Sequence, residues 1–292
     1  MSFKEKWLEA VERKNSVVCA GLDPAEYDMR KDDVLPEGTN KLGWTLDYIK
    51  AVAPFCAAVK PNVQYWKNNL GMQDIETITF VAHENGLVVI DDSKLADIGS
   101  TNDAGMYHAQ KKNIDAITLA CFAGNMQEAA EQLRKRNLGG IHMCLMSNKE
   151  YEQQKNKLVP LISDDKNNYE LVDLVRSAEG HFYARQYLHL AVNAKRFGLD
   201  GIVIGAPSKT NHISEDELKK VRRYFDDLIL LPGIGKQGGE AELIWKYFDP
   251  MNVIVNVGRN LMFPKGPNST PTQQAERARY YQEMLNSLRK AA

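Results

Sequence analysis

Apolar residues along this chain gather into eight short runs separated by longer stretches of mixed character. The runs cover residues 17–22, 56–60, 87–90, 116–120, 141–145, 201–205, 228–231 and 253–257. Such short, largely uninterrupted apolar runs, rich in β-branched side chains, read as strands buried on both faces. Between them, residues 42–52, 74–84, 126–136, 181–196, 215–224 and 241–247 place apolar side chains every three to four positions, the spacing of a helix with one face on a core. Strand and helix alternate throughout, which builds a parallel sheet with helices outside it. Eight such units predict an α/β fold of the closed (β/α)8, or TIM-barrel, kind as a single domain over residues 1–292. An open doubly wound sheet is the structural alternative.

One stretch breaks the rhythm. Residues 148–179 are too many for an ordinary connection, and they carry Lys155-Asn156-Lys157, Pro160 and Asp164-Asp165-Lys166-Asn167-Asn168 among few apolar side chains. They read as an insertion after the fifth strand, compatible with a solvated excursion, a small hairpin, or part of a lid or subunit contact. Residues 272–290 are polar with helical spacing and are expected to close the barrel. No internal repeat or interdomain linker interrupts the pattern.

Charge changes this picture little, and mostly by exclusion. A formal net charge of -1 gives no global attraction to nucleic acid or to an anionic membrane, although a small anionic ligand needs only a local basic pocket. No apolar run is long enough to span a bilayer, and the charged start Met1-Ser2-Phe3-Lys4-Glu5-Lys6-Trp7 lacks the apolar stretch of a signal peptide. Cys19, Cys56, Cys121 and Cys144 lie far apart without the paired spacing of a zinc site, so they read as reduced core residues and no metal role is expected. The expectation is a soluble, cytoplasmic protein.

The chemistry collects where the apolar runs end. Asp91-Asp92-Ser93-Lys94-Leu95-Ala96-Asp97-Ile98 follows the third run directly. If Asp92 and Lys94 still lie on the strand, its two-residue period points both to one face and Asp91 to the other. The first run ends in Asp23 and the second in Lys60, followed by Asn62. Neighbouring parallel strands are about 4.8 Å apart, so Asp23, Lys60, Asp92 and Lys94 can form one alternating cluster of acids and bases. Barrel enzymes build their sites at that end of the strands.

A second constellation follows the seventh and eighth runs. Pro232-Gly233-Ile234-Gly235-Lys236-Gln237-Gly238-Gly239 supplies glycines that let backbone approach a phosphate, and Gly258-Arg259 supplies a guanidinium able to bind one with two parallel hydrogen bonds. Loops at these two positions are the usual phosphate site of such barrels. A phosphate grip facing lysines and aspartates points to a phosphorylated small molecule. With no dinucleotide fingerprint, Lys94 is the natural proton donor or imine-forming amine, and Asp92 can hold it charged and oriented.

Asp92-x-Lys94-x-x-Asp97-Ile98, the strand-end Asp23 and Lys60, Pro232-Gly233-Ile234-Gly235 with Gln237, and Val257-Gly258-Arg259 together resemble the orotidine 5'-phosphate decarboxylase family. The resemblance implies cofactor-free loss of carbon dioxide from orotidine 5'-monophosphate, giving uridine 5'-monophosphate in pyrimidine biosynthesis through a carbanion at carbon 6 of the base. It implies that Lys94 stabilises and protonates the carbanion, that Asp92 sits beside the departing carboxylate, that Lys60 bonds Asp92 and the ribose, and that Asp23 holds a ribose hydroxyl. Ser147 would bind the pyrimidine amide, Asn62 would lie near the ribose, and Pro232, Gln237, Gly258 and Arg259 would surround the phosphate. Asp97, with Ile98 and Thr101, would cross a homodimer interface to complete the partner's site. The long 148–179 stretch and Lys236 go beyond the family pattern. Two alternatives stand beside this reading: a magnesium-dependent phospho-sugar decarboxylase or aldol synthase of the same superfamily, which would want an acid where Lys60 stands, and a non-catalytic barrel that binds nucleotides.

Overall fold

The computed structural model describes residues 1–67, 71–162, 165–234 and 241–291. Its strands are β1 (Val18–Leu22), β2 (Ala58–Pro61), β3 (Val88–Leu95), β4 (Ala116–Leu119), β5 (Gly139–Leu145), β6 (Leu158–Pro160), β7 (Leu174–Arg176), β8 (Phe182–Arg185), β9 (Gly201–Ile204), β10 (Leu228–Pro232) and β11 (Val253–Val257). Eight of them close a parallel barrel in the order β1-β2-β3-β4-β5-β9-β10-β11, with β11 returning to β1. Each run expected from the sequence holds one barrel strand. β1, β2, β4 and β9 are buried at every position, as strands between a filled barrel interior and a helical jacket must be.

The jacket matches the periodic segments. Met126–Arg136 and Glu215–Tyr224 are helices over the expected residues, and Lys41–Val52, Gly71–Glu84, Glu242–Trp245 and Pro271–Ala291 differ only at their ends. Pro271–Ala291 packs beside Lys41–Val52 and against β1, completing the outer ring. Phe3–Lys14 and Gly99–Lys111 are further helices that the sequence reading did not name. Phe3–Lys14 starts with a reciprocal cap between Ser2 and Glu5 and buries Trp7, whose Nε1 donates to the Met251 carbonyl at 2.8 Å. Its Lys4 and Lys6 pair with Asp227 and Asp115, which precede β10 and β4, so the helix lies across the amino ends of the strands. The carboxyl ends are left to the site.

Residues 181–185 correct the sequence reading, which had placed them in a helix. Phe182–Arg185 is β8, and the helix begins at Gln186. β8 is the central strand of an antiparallel sheet ordered β6-β8-β7, and its pairing along both edges outweighs the local helical spacing. Tyr169 and Ala184 of this excursion after β5 form a small core with Val192 of the helix Gln186–Phe197. Buried Lys155 pairs with Glu217 at 2.7 Å, and Asp173 accepts from Arg223 at 2.6 Å and from the Tyr224 hydroxyl at 2.7 Å. Those contacts fasten the excursion to the helix Glu215–Tyr224. All four cysteines are free and buried. Among the described residues, no helix is long and apolar enough to cross a membrane.

Candidate active site

Strands of a parallel barrel all deliver their carboxyl ends to one rim, and the polar residues that end the apolar runs meet there. A cavity of about 380 Å³ opens at that rim, within the range typical of small-molecule sites. Its wall includes Asp23, Lys60, Asn62, Asp92 and Lys94 on one side of the ring and Ser147, Pro232, Gly258 and Arg259 further round. Nine residues named from sequence therefore share one cavity. Gln237, with Lys236 and Gly235, lies outside the described residues. Asp97, Ile98 and Thr101 do not line the cavity of their own chain and are exposed on its surface. The Asp97 carboxylate accepts from the Ile98 N–H at 2.8 Å.

Asp92 is the hub of the charged cluster. Its Oδ2 accepts from Lys60 Nζ, and its Oδ1 accepts from Lys94 Nζ at 2.5 Å. Thr118 Oγ1 lies 3.1 Å from the same Oδ1. Lys60 and Asp92 are almost wholly enclosed, with side chains 6% and 11% exposed, whereas the Lys94 side chain is 44% exposed toward the cavity mouth. Burial alone opposes ionisation of Asp92, but the Lys60 and Lys94 ammoniums outweigh it and hold the carboxyl well below the usual carboxylate range. Burial likewise opposes the Lys60 charge, and Asp92 with Asp23 reverses that, raising the ammonium above its ordinary value. Around neutral pH the cluster is thus one buried carboxylate between two ammoniums.

Asp92 and Lys94 meet by a route that a regular pleat does not provide. The β3–β4 register shifts between Asp91 and Leu95, and Lys94 takes a left-handed backbone with φ of 49°. A residue with a Cβ pays for that conformation, and such local strain is concentrated at functional positions. The irregularity turns the long Lys94 side chain back onto Asp92. Asp91 lies outside the cavity lining, where burial pushes its carboxyl up to about 7, with Lys112 pulling it down and Asp92 adding to the rise.

Thr118 on β4 and Asn256 on β11 are among the wall residues that escaped the sequence reading. Each is a small uncharged polar residue inside an apolar run, and alternation with apolar neighbours was its only signal. Among the described residues, Oδ1 of Asp23 and Oδ1 of Asn256 are buried without a hydrogen-bond partner. Both therefore offer acceptors to a ligand with hydroxyl or N–H groups. Close approach of backbone shapes the rim elsewhere. A Cβ on Gly21 would fall 2.9 Å from Gly258 Cα, and one on Gly205 would fall 2.8 Å from Ser147 Cβ. Only glycine lets the ends of β1 and β11, and of β9 and β5, come so near.

The arrangement can do three things: bind an anion at Arg259, accept from hydroxyls at Asp23 and Asn256, and present an ammonium, Lys94, to a reacting atom beside a fixed carboxylate. Known proteins resemble this chain over nearly its whole length. The family model described as "Orotidine 5'-phosphate decarboxylase / HUMPS family" matches residues 16–278. A relative named orotidine 5'-phosphate decarboxylase from Halobacterium salinarum is 29% identical over 98% of this chain and 99% of its own length. One of the same name from Dehalococcoides mccartyi is 26% identical over 99% of each. Among solved structures, a putative orotidine-monophosphate-decarboxylase from Toxoplasma gondii superimposes with a TM-score of 0.76 at 22% identity, covering 99% of this chain and 97% of that one, which speaks for the fold. With the family model matched from β1 into the last helix, this chain belongs to the orotidine 5'-phosphate decarboxylase / HUMPS family.

Proposed function

We propose that this protein converts orotidine 5'-monophosphate to uridine 5'-monophosphate and carbon dioxide in pyrimidine biosynthesis, with no metal or organic cofactor. The observation that carries the reading is the Asp92 carboxylate fixed between Lys60 and Lys94 in a cavity that also holds Arg259. Arg259 has no carboxylate partner among the described residues, which suits it to the substrate phosphate, together with the Gly258 amide, Pro232 and Gln237. Asp23 and Asn62 take the ribose, and Ser147 the pyrimidine amide.

The reaction then follows from charge. The bond from carbon 6 to the carboxylate breaks, its electron pair stays on carbon 6, and carbon dioxide leaves. Lys94 Nζ, already charged and held by Asp92, faces the developing carbanion and gives it a proton, and the resulting amine recovers one from water. Asp92 beside the substrate carboxylate contributes repulsion of roughly 4 kcal/mol at about 4 Å for an effective dielectric near 20, relieved as carbon dioxide departs. Binding energy gained at the remote phosphate orients the base against this cluster.

The working unit in this reading is a homodimer. Exposed Asp97, Ile98 and Thr101 have no part in their own chain's cavity, and Ile98 is an apolar side chain 57% exposed. Supplying them to the partner's site accounts for both facts. The magnesium-dependent alternative is disfavoured because the Lys60 ammonium occupies Asp92 Oδ2, where an acid would be wanted. A silent nucleotide-binding barrel is disfavoured because binding has no use for two lysines on one carboxylate.

The deciding experiment follows loss of orotidylate absorbance by purified protein with EDTA present. Turnover that persists supports the reading. Turnover that vanishes on chelation overturns the cofactor-free mechanism, and none under any condition favours the binding barrel.

A further inference from the structure

One residue of β4 stands opposite three of β3. The ladder pairs Asp91 with Ile117 and Leu95 with Leu119, so Thr118 faces the irregular stretch Asp92-Ser93-Lys94 alone. With its left-handed backbone, Lys94 cannot keep its N–H in the regular ladder. That N–H donates instead to Thr118 Oγ1 at 2.9 Å. The same hydroxyl is 3.1 Å from Asp92 Oδ1 and 3.5 Å from the Asp91 carbonyl. A hydroxyl has one proton to give, and the nearer, charged acceptor takes it. Thr118 therefore accepts from the Lys94 backbone and donates to the Asp92 carboxylate. At 1% exposed it has no water to do either in its place.

We infer that Thr118 is a positioning residue for the decarboxylation, its hydroxyl holding the strained Lys94 backbone and the Asp92 carboxylate in register with each other. The inference rests on the function proposed above. Lys60 fixes one oxygen of Asp92, and Lys94 and Thr118 converge on the other, which sets the plane of the carboxylate. Without the hydroxyl, the Lys94 N–H is orphaned and Asp92 Oδ1 keeps Lys94 as its one donor, so the backbone that carries the ammonium loses its tie to the carboxylate and the ammonium is presented in a range of positions rather than one. The loss falls on the chemical step, since Thr118 acts through Asp92 and Lys94 and not through the phosphate or ribose contacts.

Thr118→Val keeps the shape and removes the hydroxyl, while Thr118→Ser keeps the hydroxyl and removes a methyl. Both are compared with wild type for kcat, KM for orotidylate, uridylate affinity, and amide hydrogen exchange at Lys94. The expected result is a kcat for Thr118→Val lower by roughly tenfold to a hundredfold, the size of one charge-assisted hydrogen bond. KM and uridylate affinity stay within about threefold, the Lys94 amide exchanges faster, and Thr118→Ser recovers most of kcat and of the protection. Equal losses in the valine and serine variants, or a valine variant with unchanged kcat, overturn the inference and leave Thr118 as packing. If wild type itself fails to turn over orotidylate, the functional reading falls. Exchange at Lys94 still decides the positioning claim in that case, because protection unchanged in Thr118→Val refutes it without any substrate.

Discussion

Replacing Lys60 or Lys94 by methionine removes the same charge from the same carboxylate, yet the two changes should differ sharply in stability. Lys60 and Asp92 expose only 6% and 11% of their side chains, and an ion pair at about 3 Å in an effective dielectric near 20 is worth roughly 5 kcal/mol. Desolvating two ions costs several kcal/mol each, so the intact pair contributes little net stability, but removing Lys60 leaves the buried carboxylate with only the half-exposed Lys94 as its cation and costs about 3–5 kcal/mol. The Lys94 side chain is 44% exposed, and its loss should cost no more than about 1 kcal/mol. Urea unfolding at pH 7 reads the difference directly. Lys60→Met should unfold about 3 kcal/mol more easily than Lys94→Met, and both should lack turnover. Adding Asp92→Asn to Lys60→Met should restore stability, because neither charge is then stranded. Equal stability of the two lysine variants, or a double variant as unstable as the sum of its parts, would refute the claim that Asp92 is held by a buried pair and a solvated one.

Three further outcomes follow from other parts of the molecule. Gly205→Ala places a Cβ 2.8 Å from Ser147 Cβ and 2.9 Å from its N, so the loop after β5 must move, and KM should rise more than kcat falls, with a stability loss of about 1–3 kcal/mol in thermal melts. His142 is wholly buried, accepts from the Cys121 N–H at Nε2, and is pushed by burial down to about 4. The unfolded chain takes up a proton near pH 6.5 that the fold refuses, so this group's contribution is complete above that pH and is lost on acidification toward pH 4, by about 3 kcal/mol, and His142→Gln should flatten that limb of a stability profile. Mixing inactive Asp97→Ala with inactive Lys94→Ala chains should restore activity in verified heterodimers, since one of the two sites then has both residues; no recovery would count against a shared site.

Much of this was legible in the sequence because a barrel writes its strands as apolar runs and its chemistry at their ends. The eight runs, the helices Met126–Arg136 and Glu215–Tyr224, and the meeting of Lys60 with Asp92 needed only period and strand order, whereas Lys94 reaches Asp92 through a strand irregularity that the period does not show. What was missed depended on pairing between elements or on a weak local pattern. Phe182–Arg185 keeps a helical spacing locally and becomes a strand only because β6 and β7 lie on either side of it. Gly99–Lys111, with Gly, Ser, Thr and Asn in its first turns, shows too weak an apolar stripe to announce a helix. The left-handed turn at Lys94 falls where no glycine or asparagine marks it, and Thr118 matters only because that turn leaves a hydrogen-bond donor without a ladder partner. A pattern of single residues cannot report such a pairing.

The central claim, that Lys94 delivers the proton to carbon 6 from a site held by Asp92, is tested most directly in Lys94→Ala by measuring orotidylate turnover alongside uridylate binding. The account predicts turnover lower by at least about a hundredfold, as for loss of a general acid, with uridylate still bound within about tenfold of wild type. Turnover near the wild-type rate in that variant would contradict it.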